Sequence, residues 1–188
     1  MLYNGYRLII FDQKEQWHGG IGFVISPAMP PYLTTFNRVS DRVGYADFTL
    51  PLKGGGKKDI RVINCYGYTS AKAKQFPEKV TQFYKELHDT SNVPCKRELF
   101  FSGDFNAKLG NRTKHEMKSS TFHQIGCHGV GTRNDNGELM MEFMTGCNLT
   151  ACNTLFDHPS RHKLSWTGAN RTKKGVPLYA QLCYVLIT

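Results

Sequence analysis

The sequence predicts one α/β sandwich, and three features of its 188 residues predict it. Strand-like and helix-like stretches mix along the chain, the helices are few with long crossovers between strands, and neither an internal repeat nor a linker-like segment divides it. A hydrophobic content of 40% is enough for one sizeable core. The expected organisation is a single domain over residues 1–188.

Strands come first. Arg7 to Phe11 reads as one, and Gly20 to Ser26 as another through the alternation of Ile21, Phe23 and Ile25. Phe48 to Leu52 and Ile60 to Tyr66 extend what looks like antiparallel sheet. Between them, Lys53-Gly54-Gly55-Gly56-Lys57-Lys58 reads as a hairpin loop, because a glycine-rich phosphate cradle needs a helix directly after it and no helix signal follows. Pro77 to Asp89 carries Val80, Phe83, Tyr84 and Leu87 at helical spacing, starts on proline and is followed by Asn92-Val93-Pro94, so an amphipathic helix with a core-facing stripe is expected.

Glu98 to Ser102 reads as a buried strand running into Gly103-Asp104-Phe105-Asn106. After a basic polar loop from Lys108 to Lys118, Asn136 is placed to cap a helix from about Gly137 to Gly146, with Leu139, Met140, Phe143 and Met144 as core. Strands are expected at Leu149 to Cys152, around Leu164 to Thr167 and at Leu182 to Ile187, with a Lys/Arg/Gly-rich connection from Gly168 to Pro177.

Twenty-four Lys and Arg against fifteen Asp and Glu give a formal charge of +9, which favours a polyanionic partner, DNA first. Six cysteines without a C-x-x-C pair, and a start that lacks a secretion pattern, argue against a disulfide scaffold and for reduced thiols in an intracellular protein, nuclear or cytoplasmic. The glycosylation-like triplets at Asn111, Asn148 and Asn170 are set aside on that ground. No stretch approaches the roughly 18 apolar residues of a membrane span. No obligate protein partner is inferred. His123, His128, His158 and His162 lack metal-ligand spacing tied to carboxylates and read as surface or structural residues.

The chemistry concentrates at Gly103-Asp104-Phe105-Asn106. A carboxylate and an amide two apart on extended backbone would point the same way at a strand end, and such a pair can orient an attacking water and hold a phosphoryl oxygen. The plainer reading is a turn in which Asp104 and Asn106 bond nearby backbone.

Together with Ile63-Asn64-Cys65-Tyr66-Gly67, this stretch resembles the endonuclease/exonuclease/phosphatase superfamily, where a strand ending in Tyr precedes the Gly-Asp-Phe-Asn strand with a helix between. Further matching stretches are Gly19-Gly20-Ile21-Gly22-Phe23-Val24-Ile25-Ser26, Ser40-Asp41-Arg42, Ile125 through Gly137, Asn148-Leu149 and Asn153 through His158. In order and spacing these are similar to the endonuclease domains of non-LTR retrotransposons and of host proteins like craniofacial development protein 2, over about Tyr6 to Ile187. The resemblance implies a four-layer α/β sandwich of deoxyribonuclease-I-like type and a magnesium-dependent phosphodiesterase that nicks DNA. A phosphatase acting on lipids or small molecules shares the fold but fits the loops less well.

By position, the resemblance makes Asp104 the water-activating carboxylate and a magnesium ligand, Asn106 the phosphate-orienting amide, and Tyr66 the phenol that contacts the scissile phosphate. Ser165 takes the place of a phosphate-side hydroxyl, and Trp166 beside it reads as core. Two departures stand out: Gly67-Tyr68 replaces the usual Ala-Pro type of pair, and Cys183 occupies the position of the aspartate that orients a catalytic histidine. The family's first-strand Asn and its metal-binding Glu belong before Met1, and its Ser-Asp-His motif belongs after Thr188. The expectation is thus a partial domain, truncated at both ends, with magnesium binding weak or lost and catalysis impaired. The alternative is a non-catalytic nucleic-acid-binding relic of the same domain.

Overall fold

A computed structural model of the chain describes residues 3–11, 20–92, 97–171 and 177–188. Apolar residues that alternate along extended backbone give the strands two usable faces, and the fold uses both. Six strands form the main sheet: β3 (Leu33–Arg38), β4 (Val43–Pro51), β5 (Lys57–Tyr66), β6 (Glu98–Asp104), β7 (Thr150–Ala151) and β10 (Cys183–Ile187), in the spatial order β3-β4-β5-β6-β10-β7. Two further strands, β1 (Arg7–Phe11) and β2 (Ile21–Ile25), make an antiparallel ribbon, and β8 (Trp166–Arg171) pairs with β9 (Pro177–Ala180).

The pairing of β5 with β6 is parallel, so the chain must cross over between them. It does so through α1 (Ser70–Gln75) and α2 (Pro77–Ser91). Helix α2 presents Val80, Phe83 and Leu87 as its buried stripe, as its spacing requires. With Met140, Phe143 and Met144 of α4 (Asp135–Gly146), Phe83 and Leu87 cover one face of the sheet, against Ile63, Phe101 and Leu186. Ile9, Phe11, Ile21 and Ile25 of the ribbon pack on the other face, against Ala46 and Phe48. Along β5 the alternation sorts the two sides: Ile63 and Cys65 join the helical core, Val62 and Tyr66 the ribbon core. The described residues thus carry the helix, main-sheet and second-sheet layers of the expected sandwich. Two short helices, α3 (Lys114–Lys118) and α5 (Ser160–Lys163), lie in the connections.

Several boundaries differ from the sequence reading. β4 begins at Val43, because the buried acid Asp47 interrupts its apolar run and hides the first half. β3 went unrecognised as an edge strand whose residues are mostly exposed. Asn134, not Asn136, caps α4, its side chain accepting from the N–H of Gly137 at 2.9 Å. The segment read as a plain connection from Gly168 to Pro177 carries the end of β8, to Arg171, and the first residue of β9, while its residues 172–176 lie outside the described part, as do residues 93–94 after α2. The glycine-rich stretch is the hairpin expected: Leu52 and Gly56 bond across it, and Gly54, Gly55 and Gly56 have φ of +95°, +95° and +89°.

Asp47 is explained by its partners. It is 2% exposed and accepts from Arg61 Nε at 2.7 Å and Nη2 at 2.8 Å, and from Arg97. Arg61 Nη1 also donates to the carbonyl of Thr90 at 2.9 Å, and its guanidinium lies 3.8 Å from the Tyr45 ring centroid, which ties β4, β5 and the end of α2 together. Burial alone would push the Asp47 carboxyl up, but the bonds and charges of Arg61 and Arg97 outweigh it and hold the group below its ordinary 3.8. Asp47→Asn should cost about 3–5 kcal/mol in urea unfolding at neutral pH, because it strands buried guanidinium charge. The gap between wild type and variant should close as pH falls below 3.8 through the depressed native value, since the carboxylate's contribution is lost there.

Candidate active site

Three strand ends meet at one level. Parallel pairing sets Tyr66 of β5 beside Asp104 of β6, and antiparallel pairing sets Cys183 of β10 opposite Asp104 on its other side. Directly paired residues share a sheet face, so the three side chains project on the same side. Beyond the strands, Gly67 N–H donates to the carbonyl of Asp104 at 2.7 Å, so the two chains continue together into their loops. This close approach explains glycine at position 67: a Cβ there would collide with the carbonyl of Phe105.

Asp104 is half-buried and its Oδ1 accepts the N–H of Asn106 at 2.8 Å. Desolvation raises its carboxyl above the ordinary 3.8, and the Asn106 N–H offsets part of that. The expectation that Asp104 and Asn106 sit two apart on extended backbone is corrected here. β6 ends at Asp104, and Asn106 adopts a left-handed conformation with φ 49°. Its side-chain Nδ2 turns to donate to the carbonyl of Gly67 at 3.0 Å. The pair is held adjacent by a turn in which Asn106 reaches back to the acid through its own N–H.

Two residues that the motif reading gave no role here fasten this turn. Asn136, freed from capping and only 6% exposed, donates through Nδ2 to the carbonyls of Asn106 at 2.9 Å and Tyr68 at 2.8 Å. It therefore stitches the loop after β5 to the loop after β6. Arg42 Nη1 donates to the carbonyls of Tyr66 at 3.0 Å and Gly67 at 3.2 Å, and its guanidinium lies 5.2 Å from the Tyr66 ring centroid. In Asn134-Asp135-Asn136 both amides have the chemistry of a cap, and only tertiary placement decides between them. Arg42 stood within a matching motif, but nothing in its spacing points to Tyr66.

Ser165 lies at the same end of the sheet: its Oγ accepts the N–H groups of Leu182 at 2.9 Å and Cys183 at 3.0 Å. Its hydroxyl hydrogen is thereby left to donate elsewhere. Trp166, expected in the core, is 45% exposed, with its ring lying across Gly168, where a Cβ would collide with it.

The strand ends open on a cleft of about 680 Å³ between the β1–β2 ribbon and the sheet, with Ile10, Phe11 and Ile21 as apolar wall and Asn64, Tyr66 and Asp104 as polar floor. Its described lining holds one carboxylate. Burial pushes up the thiol of Cys183, with Asp104's charge adding to the shift and the Ser165 bond opposing it, so Cys183 adds no anion at neutral pH. Among the described residues no group of three or more His, Cys, Asp or Glu is placed to hold a metal ion. Magnesium is held by carboxylate, water and phosphate oxygens in octahedral array, and this donor set does not by itself make such a site. No described helix is long and apolar enough to cross a membrane.

Comparison with known proteins bears on this arrangement. No protein-family model matches the chain. Craniofacial development protein 2 of Tragulus javanicus is 34% identical over 157 residues, covering 82% of this chain and 25% of that protein, so the chain spans about a quarter of the length of this curated relative. The catalytic domain of Xenopus laevis APE2 superposes with a TM-score of 0.66 at 10% identity, over 100% of this chain and 67% of that one. An endonuclease/exonuclease/phosphatase family protein from Leptotrichia buccalis superposes with a TM-score of 0.54 at 12% identity, over 99% and 61% of the two chains. The fold is that of the deoxyribonuclease-I-like α/β sandwich.

The elevated Asp104 carboxyl has a measurable sign. A raised native value makes the ionised acid a cost to folding at neutral pH, absent below the unfolded value of 3.8 and fully present above the native one. Asp104→Asn should therefore raise the melting temperature at pH 7 and give no gain at pH 3.5, read by thermal unfolding across that range.

Proposed function

We propose that the chain is a DNA-directed phosphodiesterase module of the endonuclease/exonuclease/phosphatase superfamily, of the magnesium-dependent, retrotransposon-endonuclease type, working inside the cell, and that these 188 residues hydrolyse DNA poorly by themselves. The observation that carries the reading is the alignment of Tyr66, Asp104 and Cys183 across three adjacent strand ends, with Tyr66 and Asp104 on the floor of a cleft.

In this reading the phosphodiester lies against Tyr66, whose phenol donates to a non-bridging oxygen, with the Ser165 hydroxyl as a second donor from the β10 side. Asp104 takes a proton from the attacking water. The water oxygen bonds to phosphorus, the bond from phosphorus to the leaving deoxyribose oxygen breaks, and that oxygen acquires a proton from solvent. A partly desolvated carboxyl suits the acceptor role, since its affinity for a proton is higher than that of an exposed acid. Asn106 orients the phosphate through its place in the turn and fixes Asp104 through its N–H. Bound magnesium would add positive charge at the phosphoryl oxygens, and Asp104 is the one described cleft residue with a carboxylate to offer it.

The second reading, a nucleic-acid-binding module without hydrolysis, is favoured by two observations: the neutral thiol of Cys183 stands where the family carries an acid, and the Asn106 amide is already bonded to Gly67. Binding and nicking by the 188-residue chain separate the two. Duplex DNA should bind with affinity that falls steeply with salt, as phosphate contacts by a basic protein require. Nicking of supercoiled plasmid in magnesium should stay near background. Absence of DNA binding overturns the proposal. Vigorous nicking by the wild type that Asp104→Ala abolishes would keep the site and discard the impairment, and nicking indifferent to Asp104→Ala would discard the site.

A further inference from the structure

A second groove begins on the far side of the Tyr66 loop. It encloses about 820 Å³ between the β3–β4 turn and helices α1 and α2. Cations and rings alternate along it. Arg42, which bonds the backbone of Tyr66 and Gly67, lies 4.0 Å from the ring centroid of Tyr68. Phe76, the single residue between α1 and α2, has Lys72 Nζ at 5.5 Å and Lys79 Nζ at 5.1 Å from its ring centroid, one lysine from each helix. Both lysine side chains are exposed, so they can leave the ring for a ligand at little cost.

The acids of the groove are already engaged or sited for other reasons. Asp41 pairs with Arg38, Glu86 accepts the amide of Gln82 at 3.1 Å, and Glu78 stands in the first turn of α2, where the helix dipole favours an acid. An acidic peptide would use the lysines and leave the rings idle. A nucleic-acid strand uses both, since every nucleotide brings a phosphate and a flat base, and a base offers its face only when unpaired.

Resting on the reading of the Asp104 cleft as a phosphodiester site, we propose that this groove receives an unpaired strand flanking the phosphate held at Tyr66, with phosphates on Lys72 and Lys79 and a base against Phe76 and Tyr68. Arg42 is the joint between the two sites, because it holds the loop that carries Tyr66 and walls the groove at Tyr68.

The test is equilibrium binding of the 188-residue chain in EDTA, so that cleavage plays no part, to a blunt duplex and to the same duplex with a single-stranded extension. Wild type should prefer the extended duplex by about tenfold, the scale of one base stacked on an aromatic ring. Phe76→Leu and the double variant Lys72→Glu/Lys79→Glu should each bring that preference close to one. Lys53→Glu/Lys57→Glu, with the same change of charge on the hairpin at the other end of β4, should leave it intact. Melting temperatures matched to wild type would show that the variants fold. Equal affinity of wild type for both duplexes, an extension preference that survives in the Lys72/Lys79 variant, an equal loss in the hairpin variant, or displacement of the extension by an oligoglutamate peptide would each overturn the groove assignment while leaving the Asp104 reading in place. Failure to bind either duplex would sink both.

Discussion

The parallel register of β5 and β6 is the constraint on which the site depends. A parallel pair fixes where both strands stop relative to each other, so Tyr66 and Asp104 arrive at one level without any contact between their side chains being needed. The backbone bond from Gly67 to the Asp104 carbonyl carries that register past the end of the sheet. β10 then borders β6 from the other side and delivers position 183 to the same place. Slip of either neighbour by one residue would turn its terminal side chain to the opposite face and into the helical core.

Anchors at several points along β5 and β6 resist such a slip. Arg61 locks the first half of β5 to Asp47 and to the end of α2, while Ile63 and Cys65 are buried under the helices. Asn136 and Arg42 fasten the loops that follow. The arrangement separates tasks by face and by depth: packing on the helical side, buried charge midway along β5, and polar chemistry at its end. Such division lets a site carry a costly half-desolvated carboxyl without endangering the fold, because stability resides elsewhere.

Much of this was legible in the chain itself. Period-two alternation in Gly20 to Ser26 and the helical stripe of Val80, Phe83 and Leu87 located β2 and α2, and the succession of short motifs led to the sandwich fold. What escaped has physical causes. β3 is an edge strand with no buried face to impose alternation, and β4 hides its first half behind Asp47, an acid whose guanidinium partners come from elsewhere in the sequence. At the site, the spacing of Asp104 and Asn106 announced a polar strand end but not its geometry, since the left-handed turn at Asn106 is set by Gly67 and Asn136 across the loop. Local signals also could not separate Asn134 from Asn136, and Trp166 kept a core residue's identity while lying exposed over a glycine.

The bond from Asn106 N–H to Asp104 Oδ1 makes the two oxygens of that carboxyl inequivalent. One is tethered to the turn, and rotation that would exchange it with the other requires the tether to break. A proton handed to this group therefore has a preferred address, Oδ2, and whatever gives it up must come from that side. Handedness of approach is thus written into the loop by a main-chain amide, which proline at position 106, lacking an N–H, would erase.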